Sequence, residues 1–111
     1  MDIDVEQSGE IAVVTIAGEI DALTADEASA FLNTQLESGL ERLVLDLGQV
    51  TFMSSAGIRL FLEILRKSRE RGGDLRLART PAAVARTLDI TGLAQILKAY
   101  SSVGEAVSSF G

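Results

Sequence analysis

The residues best placed to do chemistry stand in one stretch, Phe52-Met53-Ser54-Ser55-Ala56-Gly57-Ile58-Arg59. Two hydroxyls sit side by side, then a glycine, then a cation. The apolar run Leu43-Val44-Leu45-Asp46-Leu47 precedes them, and an amphipathic run from Ile58 to Arg71 follows. The first pattern is that of a buried strand and the second that of a helix. The serines therefore mark a seam where the carboxyl end of a strand feeds the amino end of a helix. Open α/β sheets place ligand sites at such seams. The unpaired N–H groups and positive end of the helix also favour an anion there.

Several chemistries fit a serine pair at a helix start. The plainest is structural: serine is a preferred N-cap, and glycine permits close backbone passage. A serine nucleophile lacks its parts. The chain has no histidine and no cysteine, which removes Ser-His-Asp and Cys-His catalysis and the usual zinc and iron–sulfur ligand sets. A Ser–Lys pair would need Lys67 or Lys98. Lys67 lies about three helical turns from Ser55, and nothing places Lys98 nearby. No catalytic residue, metal or cofactor is expected. Ser-Ala-Gly also lacks the glycines and the Lys-Ser/Thr of a P-loop. A phosphoacceptor role fits as well, since modification would add about −1.5 to −2 charges to an exposed corner. The local residues do not choose between cap and acceptor.

The elements that must position this seam follow from periodicity. Ile3 and Val5 alternate with Asp2, Asp4 and Glu6, as in a strand with one wet face. Ser8-Gly9 signals a turn, and 11–17 pairs back as a hairpin. Gly18-Glu19-Ile20-Asp21 then leaves the sheet. Thr24-Ala25-Asp26-Glu27 fits a capping box, and Ala25, Ala28, Phe31, Leu32 and Leu36 give the following helix an apolar face. Gly39 ends it. After the seam, Ile58, Phe61, Leu62 and Leu65 form one stripe. Arg59–Glu63 and Glu63–Lys67 are i,i+4 pairs on the other side. Gly72-Gly73 stops that helix. A short strand at 75–77 follows, then a helix with Pro81 at its first position and Val84, Ala85 and Leu88 inside. Thr91-Gly92 breaks it, 96–100 is a last strand, and Ser102 to Glu105 caps a short final helix. The order β-β-α-β-α-β-α-β-α implies an α/β fold, one domain over 1–111, with a mixed, mostly parallel sheet and about four helices.

Charge is unevenly spread. Residues 1–53 hold eleven acids and one base, Arg42, whereas 54–111 hold nine bases and five acids. One reading is an acidic surface beside a solvated basic helix face; the other is a polarised surface that orients a charged partner. The overall charge of −6 argues against a dedicated nucleic-acid binder. The acidic start carries no secretory signal pattern, and no apolar run reaches the roughly 18 residues of a membrane span. The absence of cysteine suits a reducing compartment, so a cytoplasmic protein with no nucleic-acid or membrane partner is expected.

The chain resembles anti-sigma factor antagonists of the STAS-domain class from end to end. The likeness rests on Gly18-Glu19-Ile20-Asp21, on Leu43 to Leu47 followed by Val50-Thr51-Phe52-Met53-Ser54-Ser55-Ala56-Gly57-Ile58, on Gly72-Gly73, and on Leu88-Asp89-Ile90-Thr91-Gly92-Leu93. The resemblance implies a partner switch. The unphosphorylated antagonist binds an anti-sigma factor or related ATP-dependent serine kinase, phosphorylation of one serine abolishes binding, and a serine phosphatase restores it. Aligned on Gly57, the acceptor falls on Ser55, with Ser54 as the alternative. Ser54 stands where the family pattern has Asp, and Ala56 where it has a second hydroxyl. Asp21 matches a family acid near the site, and Ile58 and Arg59 flank the acceptor as partner-contact candidates. Two other functions stay open: a constitutive STAS scaffold or regulatory subunit, and a nucleotide-sensing STAS module.

Overall fold

A computed structural model describes the whole chain, residues 1–111. β1 (Asp2–Ser8) and β2 (Ile11–Ile20) form an antiparallel hairpin across Gly9-Glu10. Then come α1 (Ala22–Glu37), β3 (Arg42–Met53), α2 (Ser55–Glu70), β4 (Asp74–Ala78), α3 (Ala82–Thr91), a 3₁₀ turn at Leu93–Gln95, β5 (Ala99–Tyr100) and α4 (Val103–Ser108). The five strands lie in the order β1-β2-β3-β4-β5, and every pair after the hairpin is parallel. This is the mixed, mostly parallel α/β sheet that the sequence pattern implies. No helix is long and apolar enough to cross a membrane.

The sheet is longer than its apolar runs. β2 continues to Ile20 and β3 to Met53, beyond the expected ends at 17 and 47. The reason is irregular pairing. Register shifts fall between Thr15 and Ala17 and between Gly18 and Glu19, so the period-2 pattern breaks while the ladder goes on. In β3, Leu47 and Val50 are buried while Gly48 and Gln49 are exposed. The same extension carries the strands to the seam: Ile20 pairs with Met53 on the last rung.

α1 begins at Ala22 with Asp21 as its N-cap, not at Thr24. The capping box is present but shifted, with Thr24 as its third residue and not its cap. Asp21 Oδ1 accepts from Thr24 N–H at 3.0 Å, and Asp21 N–H donates to Thr24 Oγ1 at 2.8 Å. Pro81 likewise serves as the N-cap of α3, with ψ 151°, so that helix starts at Ala82. The expected strand over 96–100 shrinks to Ala99–Tyr100, because the chain first turns to bury Leu93 and Leu97.

The main core lies between one sheet face and α1 plus α2. It joins Leu32 and Leu36 of α1 to Leu43, Leu45 and Leu47 of β3 and to Phe61 and Ile64 of α2. The α2 stripe runs through Ala56, Gly57, Leu60, Phe61, Ile64, Leu65 and Ser68. Leu62 is not part of it and is exposed; Leu60 and Ile64 take the inner positions. On the other face, α4 covers a smaller cluster of Ile11, Val44, Ala78 and Ala106. Arg76 ties that end down, with its guanidinium 4.0 Å over the Phe110 ring and a 2.8 Å hydrogen bond to Ser109 Oγ.

Candidate functional site: the corner between β3 and α2

The two serines have different positions and different bonds. Ser54 is the N-cap of α2, with φ −89° and ψ 179°. Its Oγ accepts from Ala56 N–H at 3.2 Å, which satisfies one of the helix's orphan donors. Its own N–H donates to Ile20 O at 2.9 Å, pinning the corner to the end of β2. Ser55 is the first residue of the helix and is exposed. Its hydroxyl has no hydrogen-bond partner within the chain. One serine thus holds the corner, and the other presents a free Oγ to solvent.

Gly57 explains how α2 can start so close to the sheet. It is buried, and a Cβ there would overlap the Met53 side chain and stand 3.3 Å from Ile20 Cγ2. Ile58 is half-buried against the main core, so much of its surface is committed to packing. Asp21 follows Ile20 just as Ser54 follows Met53, each one residue beyond the same rung. The N-caps of α1 and α2 therefore emerge from one end of the sheet, and both positive helix ends point to this corner. Hydrogen bonds from Thr24 hold the Asp21 carboxyl below its ordinary value.

Arg59 differs from its sequence expectation. It is exposed and forms no ion pair with Glu63. Glu63 turns instead to the seam between α1 and α2. There it accepts from Lys67 Nζ at 2.9 Å and from Ser29 Oγ at 3.0 Å. The Lys67 bond, with help from Ser29 and against the effect of burial, lowers the Glu63 carboxyl. The Glu63–Lys67 pair is present as expected. Arg59 is left lining a cleft of about 310 Å³ with Ala22, Asp26, Ser29, Ala56 and Glu63.

The STAS domain family model matches residues 2–106. The chain belongs to the STAS domain family. Among its relatives, the anti-sigma-B factor antagonist of Bacillus subtilis is 33% identical over 97 residues, spanning 87% of this chain and 88% of that protein. The solved anti-sigma factor antagonist from Mycobacterium paratuberculosis superposes with a TM-score of 0.88 at 25% identity, covering 97% of this chain and 92% of that one. The anti-sigma factor antagonist SpoIIAA in its unphosphorylated form has the same fold, with a TM-score of 0.84 at 21% identity over 98% of this chain and 96% of that one. The Bacillus cell fate determinant SpoIIAA in its phosphorylated form shares the fold too, with a TM-score of 0.77 at 19% identity over 99% of this chain and the whole of that one.

Two features of this STAS domain escape the sequence. The first is a pair of exposed apolar side chains beside the corner. Phe52, at the end of β3, is 53% exposed, and Leu23, in the first turn of α1, is 71% exposed. Phe52 stands in the motif stretch, but periodicity alone gives it no role, and Leu23 carries no motif at all. The second is a buried carboxylate inside an apolar run. Asp46 receives Arg79 in a fork, Nε at 2.8 Å and Nη2 at 3.2 Å, and accepts Gly48 N–H at 3.1 Å. Arg79 holds a positive φ of 54°, unique among the non-glycine residues. A Cβ at Gly48 would stand 2.6 Å from the guanidinium, so glycine makes room for the fork. This pair ties β3 to the end of β4 and stands apart from the serines.

Proposed function

We propose that this STAS domain is an anti-sigma factor antagonist whose binding is switched at Ser55. The observation that carries the reading is the split between the serines: Ser54 Oγ is spent on the helix cap, while Ser55 Oγ is exposed and unbonded. The names of the relatives support the partner class, an anti-sigma factor; its serine-kinase character belongs to the proposal. In the switch, Ser55 Oγ attacks the γ-phosphorus of ATP. The Oγ–P bond forms, the bond to the β-phosphate oxygen breaks, ADP leaves, and the hydroxyl proton passes to a base of the kinase. A serine phosphatase hydrolyses the ester and restores the hydroxyl.

The unmodified corner offers a partner two apolar side chains, Leu23 and Phe52, beside Asp21, Ser54, Ser55, Gly57, Ile58 and the cation of Arg59. Such a cluster is the kind of centre that dominates an interface. A phosphate on Ser55 adds about −1.5 to −2 charges in the middle of it. It opposes acids on the partner and adds to Asp21. The helix end tolerates the anion, so the fold survives while binding fails. The protein acts by binding, in the cytoplasm, and carries no reaction of its own.

The test is phosphorylation by the cognate anti-sigma-type kinase with ATP, followed by peptide mass mapping. Phosphate should appear on Ser55 and be absent from Ser55→Ala. Ser55→Ala should keep the partner in calorimetric titrations after kinase treatment, whereas the wild type should release it. Undiminished phosphate incorporation into a Ser54→Ala/Ser55→Ala protein would place the acceptor elsewhere and end this reading. A partner bound equally well before and after modification would favour a constitutive scaffold.

A further inference from the structure

We infer that Arg59 is the internal receiver of the Ser55 phosphate, so that modification also removes this cation from the binding surface. This rests on the reading of Ser55 as the phosphoacceptor. Both residues lie on α2, four apart, which places them on one face about one turn from each other. Helical side chains lean toward the N-terminus and cover the turn before their own Cα, so the unpaired Arg59, which lines the α1–α2 cleft in the unmodified protein, is within reach of a phosphate on Ser55. An anion followed four residues later by a cation is the favourable order on a helix.

The competing partners of Arg59 are accounted for. Glu63, the acid four residues on, is held by Lys67 and Ser29. Asp26 lines the same cleft but makes no ion pair with Arg59, and the Asp21 carboxylate is held by Thr24. The other cations of α2 are occupied or distant. Lys67 pairs with Glu63, Arg66 with Glu70 at 3.8 Å, and Arg69 with Asp74 at 2.9 Å. Arg59 is therefore the one α2 cation that is both unpaired and within a turn of the acceptor. A guanidinium matches phosphate with two parallel donors. In the unmodified protein the same fork is open to an acid of the partner. The phosphate and the partner's acid compete for one cation, and the phosphate is tethered.

The experiment uses full-length protein with phosphoserine installed at position 55 during translation, so it does not depend on a kinase. Phosphorus NMR titration reads the second phosphate pKa in the wild type, in Arg59→Gln and in Arg66→Gln. A guanidinium beside the dianion lowers that pKa. Arg59→Gln should raise it by roughly half a unit. Arg66→Gln removes the same charge about two turns further on, beyond a Debye length at ~0.15 M salt, and should leave it unmoved. The Arg59 effect should shrink on going to ~1 M salt. No shift in Arg59→Gln, or equal shifts in the two variants, would overturn the pairing. These outcomes are separate from the functional reading. Kinase mapping to another residue would remove Ser55 as acceptor yet leave the measured ion pair intact, and equal titrations would remove the pair yet leave Ser55 as acceptor.

Discussion

Ser54→Ala should destabilise the protein and Ser55→Ala should not, although the two residues are neighbours of the same type. Ser54→Ala deletes the acceptor of Ala56 N–H, a bond of 3.2 Å at a buried residue. N-cap serines replaced by alanine lose about 0.5–2 kcal/mol. The bond here is long and spans only two residues, which puts the loss near ~1 kcal/mol. The Ser54 N–H bond to Ile20 O involves the main chain and survives the change. Ser55→Ala removes no hydrogen bond, and alanine is the better helix former, so the change should stay within about ±0.5 kcal/mol. Ser54→Asp keeps an acceptor at the cap and sets a negative charge at the positive helix end, worth about 0.3–1 kcal/mol. It should match or exceed the wild type. Urea unfolding followed by far-UV circular dichroism, with a common slope, resolves such differences. At this chain length, 1 kcal/mol moves Tm by roughly 4 °C. A Ser55→Ala loss equal to or larger than that of Ser54→Ala would refute the assignment of one serine to the cap and the other to the surface.

Further outcomes follow from the core and the ion pairs. Phe61, fully buried between α2 and the sheet, should cost about 3–5 kcal/mol as Phe61→Ala; a loss under ~1 kcal/mol in the same melts would contradict its place in the core. Arg79→Met should destabilise the fold by stranding the Asp46 carboxylate, by less than loss of a fully buried pair because Arg79 is half-exposed. Adding Asp46→Leu should recover much of that loss, and failure of the pair to couple in the double-mutant cycle would rule the fork out as a stabilising contact. Acid should weaken the fold through Glu63 and Asp74. Lys67 and Ser29 lower the first. Burial works to raise the second, but hydrogen bonds from Arg69 and Arg76 outweigh it. Both folded values are depressed from ordinary ones of 4.5 and 3.8, so their contribution is complete above about pH 5 and falls as pH drops through the depressed values. Between pH 5 and pH 3, Glu63→Gln/Asp74→Asn should lose less stability than the wild type, and equal losses would show that other groups govern acid unfolding.

The element order of this STAS domain, its mixed sheet and the strand-to-helix corner were legible in the sequence. They depend on local properties: apolar periodicity, turn glycines and the chemistry of helix starts. Gly39 and Gly72 end their helices with positive φ, as their positions after the apolar stripes suggest. The serines could be placed at the corner but not told apart by their local residues, because serine fits both roles; only the resemblance, aligned on Gly57, favours Ser55 as acceptor. Only the tertiary structure gives Ser54 to Ala56 and leaves Ser55 open. The same holds for Arg59 and Glu63. Helical spacing offers Glu63 both Arg59 and Lys67, but the packing of α1 against α2 brings Ser29 and Asn33 to the Glu63–Lys67 pair and leaves Arg59 free. The Asp46–Arg79 fork joins residues 33 apart, and Asp46 sits in a run that is otherwise apolar and names no partner for it. Phe52 precedes the acceptor in the chain, but Leu23 is carried to the same corner only because β2 and β3 end on one rung. Contacts of that kind are set by register and by the approach of whole elements, and no pattern within a few residues records them.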